Sequence, residues 1–169
     1  GSGTAPPVTP LPKTLAFVDQ AIGTRIAAKA ITITNSGTAT LTRTSISIAC
    51  ANGGDFTQTN TCGATLAAAA NCSIAVTFTP TAAGARSASV TIADNATGSP
   101  QTVTMTGTGA SPAVTLSPSS VSFATTQLGA TSAGKKVTLK NTGAAALSLT
   151  SISITGANSS DFSRTTTCG

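Results

Sequence analysis

Residues 71–92 read NCSIAVTFTPTAAGARSASVTI, and two strands are written in them. Ile74, Val76 and Phe78 alternate with Ala75 and Thr77. Past Thr79-Pro80 and Gly84, Ala88, Val90 and Ile92 alternate with Ser87, Ser89 and Thr91. A period of two places every apolar side chain on one face of an extended chain, so each segment has one face to bury. The same alternation recurs outward from this stretch, at Leu15/Phe17, Ile31/Ile33, Ile46/Ile48 and Val103/Met105. With a short strand at Asp55–Gln58, the count is about seven. Asn35-Ser36-Gly37, Asn52-Gly53-Gly54, Thr79-Pro80 and residues 94–100 fall between the strands, where Asn, Gly and Pro supply turn geometry. No window carries an apolar i, i+3, i+4, i+7 stripe with caps, and Ala67–Ala70 predicts one short turn at most. About seven short alternating strands in about 100 residues predict an immunoglobulin-like β-sandwich, two sheets each covering the other's apolar face.

A shift of 106 residues lays positions 11–63 over 117–169 without a gap, with 23 identities in 53 positions. Phe17 meets Phe123, Asn35 meets Asn141, TSISI at 44–48 meets TSISI at 150–154, Asp55-Phe56 meets Asp161-Phe162, and Cys62 meets Cys168. A constant offset of this length is a tandem duplication of a sandwich-sized unit. The fold class is therefore all-β, with tandem immunoglobulin-like modules. Residues 9–109 form a complete module, 110–114 a linker, and 115–169 the N-terminal half of a second module. Its strands are predicted at Val121/Phe123, Val137/Leu139, Ile152/Ile154 and after Asp161. Residues 1–8 read as the tail of a preceding module or a linker, because GSGTAPPVT at 1–9 lies over GTGASPAVT at 107–115; an expression scar is the other reading of Gly1-Ser2-Gly3.

Charged residues are 8% of the 169, against about 25% in ordinary globular chains. Apolar residues still recur in order, so the composition describes a folded protein surfaced with hydroxyls. Net charge is +5, but the nine basic residues are scattered, and only Lys135-Lys136 are adjacent. Nucleic-acid binding asks for a basic cluster with aromatic platforms, and neither is present. No apolar run approaches the roughly 20 residues of a membrane helix. With neither His nor Glu, most acid–base machinery is missing, and no catalytic residue, cofactor or metal is expected. Asp94-Asn95 offers two oxygens, short of the six to eight of a calcium site. Lys29 and Lys135 are candidates for an isopeptide bond only beside a buried acid. Asp55 and Asp161 read as turn-capping residues beside a core Phe. Asn71, Asn95 and Asn158 match the glycosylation pattern. Outward Thr rows, Thr32/Thr34 and Thr102/Thr104/Thr106, are those of ordinary exposed strands.

The four cysteines are Cys50, Cys62, Cys72 and Cys168. A Cys62–Cys72 disulfide would close a short loop before the strand at 73–78, worth roughly 3 kcal/mol, and would mark an oxidising compartment; two reduced thiols are the alternative. Cys168 stands where Cys62 stands, so its partner would be a counterpart of Cys72. Cys50 has no counterpart, since Gly156 occupies its place. It is expected to be a buried free thiol, or to pair with Cys168 of another copy; both are unpaired or inter-module candidates.

The run DFTQTNTCGATLAAAANCSIAVTFTPTAAGARSASVTI at 55–92 resembles the bacterial choice-of-anchor D repeats. These are related to the abnormal-spindle/hydin (ASH) domains and similar to PapD and major-sperm-protein sandwiches. The elements that carry the resemblance are the Asn35-Ser36-Gly37 turn, Asp55-Phe56, Cys62/Cys72, Phe78-Thr79-Pro80, Gly84 and Gly107-Thr108-Gly109. The resemblance implies a non-catalytic structural repeat of an extracellular or surface-anchored bacterial protein, forming a stalk or fibre. The half module is then completed by further sequence or by a neighbouring subunit, and the partners are further copies of the module. No small-molecule ligand is expected. An adhesin or accessory module recognising protein or glycan is the alternative. Five Phe and no Trp or Tyr speak against glycan binding. A cytosolic scaffold of the ciliary type is a third reading, which free thiols at Cys62 and Cys72 would favour.

Overall fold

The computed structural model describes residues 6–168. Two compact units meet at Ser111/Pro112. Among the described residues the first contains ten strands: β1 (Val8–Leu11), β2 (Thr14–Ala16), β3 (Gln20–Ala21), β4 (Lys29–Asn35), β5 (Leu41–Ala49), β6 (Phe56–Asn60), β7 (Thr65–Leu66), β8 (Asn71–Phe78), β9 (Gly84–Asp94) and β10 (Gln101–Ala110). One sheet has the order β1-β4-β8-β6. The other has β2-β10-β9-β5-β7, with β3 also on β10. All seven predicted strands are among the ten. The three that sequence patterning missed are β1, β3 and β7. Pro10 interrupts the pattern of β1, and proline is tolerated there because β1 is an edge strand. β3 and β7 are two residues each, too short to show a period.

The alternation predicts the core directly. Ile31 and Ile33 from β4, Ile74, Val76 and Phe78 from β8, Val90 and Ile92 from β9, and Val103 and Met105 from β10 are all buried between the sheets. Phe17, Phe56 and Phe78 form its aromatic centre, with ring centroids 4.8 to 6.0 Å apart. Gly107 is glycine because β10 passes directly over Phe78: a Cβ there would lie 2.6 Å from the ring.

In the second unit, β11 (Val114–Ser117) pairs with β12 (Thr138–Asn141), Val114 opposite Asn141. That is the register of β1 on β4, Val8 opposite Asn35, moved by 106 residues. A 3-10 turn at Ser159–Asp161 repeats the one at Gly53–Asp55. Phe123 and Phe162 lie 6.0 Å apart, as do Phe17 and Phe56. The predicted strands at Val121/Phe123, at Ile152/Ile154 and after Asp161 are not formed. Their equivalents β2, β5 and β6 pair only with β10, with β9 and β7, and with β8. Residues 112–169 contain no counterpart of those partners, whereas β11 and β12 are each other's partners. A strand is a hydrogen-bonded state, so alternation alone does not make one. Phe123, expected in a strand core, is 40% exposed for the same reason.

Candidate functional site

The chain from β6 to β8 is where the chemistry of the first unit concentrates. Cys62 and Cys72 are bonded, with Cα atoms 5.1 Å apart, so the loop they close is 62–72. Two side chains from elsewhere hold that loop as well. Asn35, fully buried at the end of β4, donates from Nδ2 to the carbonyls of Ala39, Leu66 and Ala67 at 2.8, 3.0 and 3.1 Å. Its Oδ1 accepts from Gly37 N at 3.1 Å. Arg43, on β5, donates to the carbonyls of Cys62 and Gly63 at 2.9 and 3.1 Å. Patterning identified Asn35 only as a turn residue and gave Arg43 no role. The one available signal was that Asn35 recurs as Asn141.

Asp55 is the second cluster. It is buried at the end of the 3-10 turn, where its Oδ1 accepts from the N–H of Thr81 at 3.1 Å and from the Thr81 hydroxyl at 2.6 Å. Its Oδ2 accepts from Arg86 Nε, and the two form an ion pair. Burial opposes ionisation of Asp55, but the hydrogen bonds from Arg86 and Thr81 outweigh it and hold the carboxyl below its ordinary value. Asp55 therefore clamps the β8–β9 connection onto the β5–β6 crossover. Capping was the expected role of Asp55; the Arg86 partner lies 31 residues away and had no local signature.

The remaining candidates are apart from these clusters. Cys50 is a free thiol and exposed, not buried as expected. It follows the end of β5 at φ +89°, where the chain leaves the sheet and the in–out alternation stops. Its Sγ lies 3.3 Å from Ser89 Oγ. Gly156, at the equivalent place, has φ +127°. Cys168 is also free and exposed. Lys29 is exposed and reaches the Ala16 carbonyl at 2.6 Å and the face of Phe17, not the acid that an isopeptide bond needs; Lys135 is exposed. Asp94 accepts from Ala96 N within its own loop, and Asn95 accepts from Thr42 N of β5. Among the described residues no three His, Cys, Asp or Glu side chains gather as a metal site, and no helix is long and apolar enough to cross a membrane. A cleft of about 80 Å³ lies between Arg25, Thr57, Thr59 and Thr77, well below the roughly 300 Å³ at which small-molecule pockets begin.

The sequence pattern of the family described as "Abnormal spindle-like microcephaly-assoc'd, ASPM-SPD-2-Hydin", or ASH, matches residues 3–102. The chain belongs to the ASH family. The match covers most of the first unit, up to the start of β10, and includes the Asp55 clamp and the disulfide loop. ASH is a non-catalytic β-sandwich module. Among solved structures, the chain is similar to the ASH/PapD-like domain 7 of human CEP192, at 12% identity over 64% of this chain and 89% of that one, TM-score 0.46. It is also similar to the secreted serine protease VesC of Vibrio cholerae, at 15% identity over 58% of this chain and 22% of that one, TM-score 0.44. The VesB protease of the same organism matches at 16% identity over 60% and 31%, TM-score 0.47. The chain thus spans under a third of each protease. No curated protein sequence matches it.

Proposed function

We propose that this chain is a non-catalytic structural segment of a bacterial extracellular or cell-surface protein of the choice-of-anchor D type, in which tandem ASH sandwiches build a stalk or fibre. Residues 9–109 are one complete module, 110–114 the linker and 115–169 the first half of the next. The observation that carries the proposal is the repeated register: β11 on β12 reproduces β1 on β4 residue for residue, and Asn141 repeats two of the bonds of Asn35, to Ala145 O and from Gly143 N. The Cys62–Cys72 bond supports an oxidising location, since disulfides persist there and are rare in reducing cytosol. The partners are further copies of the module, in the same chain or a neighbouring one. Their strands would cover Val121, Phe123, Val137 and Phe162, which are 39 to 52% exposed in the second unit.

The test is surface proteolysis of intact source cells, followed by thiol counting on the recovered fragments. The expected result is release of module-sized pieces with Cys62 and Cys72 oxidised. Protection from the protease until lysis, with both cysteines reduced, would overturn the location and with it the stalk.

A further inference from the structure

A sandwich has open sheet edges, and each is a row of unpaired backbone donors and acceptors. In the first unit three of the four are blunted. β1 carries Pro10. β2 is three residues long, with Lys13 before it and a break before β3. β6 is five residues long and carries the polar Gln58 and Asn60, bonded to each other. The fourth edge is β5. β7 pairs with it only at Leu41 and Thr42, and among the described residues no strand pairs with its outer side from Thr44 to Ala49. This stretch contains no charge and no proline, and beyond the register shift at Thr44 its pairing with β9 is regular from Ser45 to Ala49. Its side chains alternate between exposed Ser45, Ser47 and Ala49 on the outer face and half-buried Ile46 and Ile48 packed against the core.

We propose that the β5 edge is a self-association site, at which Thr44–Ala49 pairs antiparallel with the same strand of a second copy of this chain. Every other residue of an edge strand directs both its N–H and its C=O outward, so the ligand the edge takes is an extended backbone. The alternation selects which one. Ser-Ile-Ser-Ile reads nearly the same in both directions, so a two-fold antiparallel copy, centred on Ile46 or on Ser47, keeps each serine opposite a small residue and Ile46 opposite an isoleucine. No like charges are opposed in either register, and the half-exposed isoleucines are covered. Such a pairing is isologous, as a two-fold contact must be. TSISI is also the longest run identical between the two repeats, at 44–48 and 150–154; that favours a role in both modules, since outward serines contribute nothing to the core. A contact of one strand on one strand is smaller than the roughly 1,200 Å² at which stable interfaces begin, so the association is a weak one. The inference goes beyond the stalk reading and is tested separately from it.

The experiment is sedimentation of the full 169-residue chain over a dilution series, with the S45K/S47K double variant beside it. Both serines are exposed on the outer face, so the lysines leave the fold intact, which a melting curve checks. Centred on Ile46 the lysine at 45 faces the one at 47, and centred on Ser47 the lysine at 47 faces its own copy; like charges directly opposed repel. The wild type should move reversibly from monomer to dimer. The variant's dissociation constant should rise at least tenfold, and mixing it with S45E/S47E should restore a one-to-one dimer. Association through the uncovered apolar residues of the second unit would be untouched by these changes, so a variant that dimerises like the wild type overturns the proposal. So does a wild type that stays monomeric. Amide exchange reads the same edge without mutation: outward N–H groups within 44–49 should gain protection with concentration, and unchanged exchange overturns the proposal too.

Discussion

Replacing Asn35 by alanine should be among the most damaging single changes in the first unit, although it removes no apolar atom from the core. The side chain is fully buried. Its two Nδ2 protons serve three carbonyls, and its Oδ1 takes the Gly37 N–H. N35A removes about three net hydrogen bonds. At about 1 kcal/mol each, the loss is about 3 kcal/mol. Against a total of roughly 5–15 kcal/mol for a domain of this size, that lowers the melting temperature by about 15 °C. The chain contains its own control. Asn141 makes the equivalent bonds to Ala145 O and Gly143 N, at 2.8 and 3.0 Å, but it is exposed and has no counterpart of the 66–67 carbonyls. N141A should cost under about 1 kcal/mol, since water replaces each lost partner. Urea unfolding followed by far-ultraviolet circular dichroism measures both; the chain has no Trp or Tyr for fluorescence. A cost below about 1 kcal/mol for N35A, or equal costs for the two variants, would show that the buried Asn35 bonds do not hold the 62–72 loop.

Three further outcomes are expected. The Asp55 carboxyl is held below its ordinary value, so its contribution is present above the unfolded value, near pH 4, and is lost as pH falls through the lower folded value; D55N should destabilise at pH 7 and reduce the acid-side loss of stability, and an unchanged pH profile would refute the clamp. Reducing the disulfide, or making C62A/C72A, should cost at most about 3 kcal/mol while leaving the first unit folded, because Asn35 and Arg43 hold the loop independently; collapse of the circular dichroism on reduction would show otherwise. G107A places a methyl 2.6 Å from the Phe78 ring and should cost about 1–3 kcal/mol by overpacking, whereas G54A, with nothing within 4 Å, should be nearly neutral; equal melting temperatures would contradict this.

How much was legible depended on the range of the interaction. Ile74, Val76 and Phe78 announce their burial to their neighbours, because period two is a property of the strand itself. The repeat was legible for a related reason: two copies of one pattern must meet the same local demands at the same offset. Asn35, Arg43 and Arg86 announce nothing. Each acts on a residue 20 to 32 positions away, and an isolated Asn or Arg on a strand looks the same whether it faces water or a row of carbonyls. Cys50 was misread because burial is the common fate of a free cysteine, while its left-handed φ placed it on the surface.

The all-β class, the faces that form the core and the 106-residue repeat can all be read from the residues in chain order. All of these follow from short-range alternation and from comparison of the chain with itself. Which alternating segments become strands depends on the neighbours the fold brings beside them. TSISI is a strand at 44–48 and not at 150–154, from identical residues, because the first has β9 beside it and the second has no counterpart of β9 in residues 112–169. The physical reason is that a side-chain pattern selects the face a strand will bury, while the strand itself exists only where a second backbone accepts its hydrogen bonds.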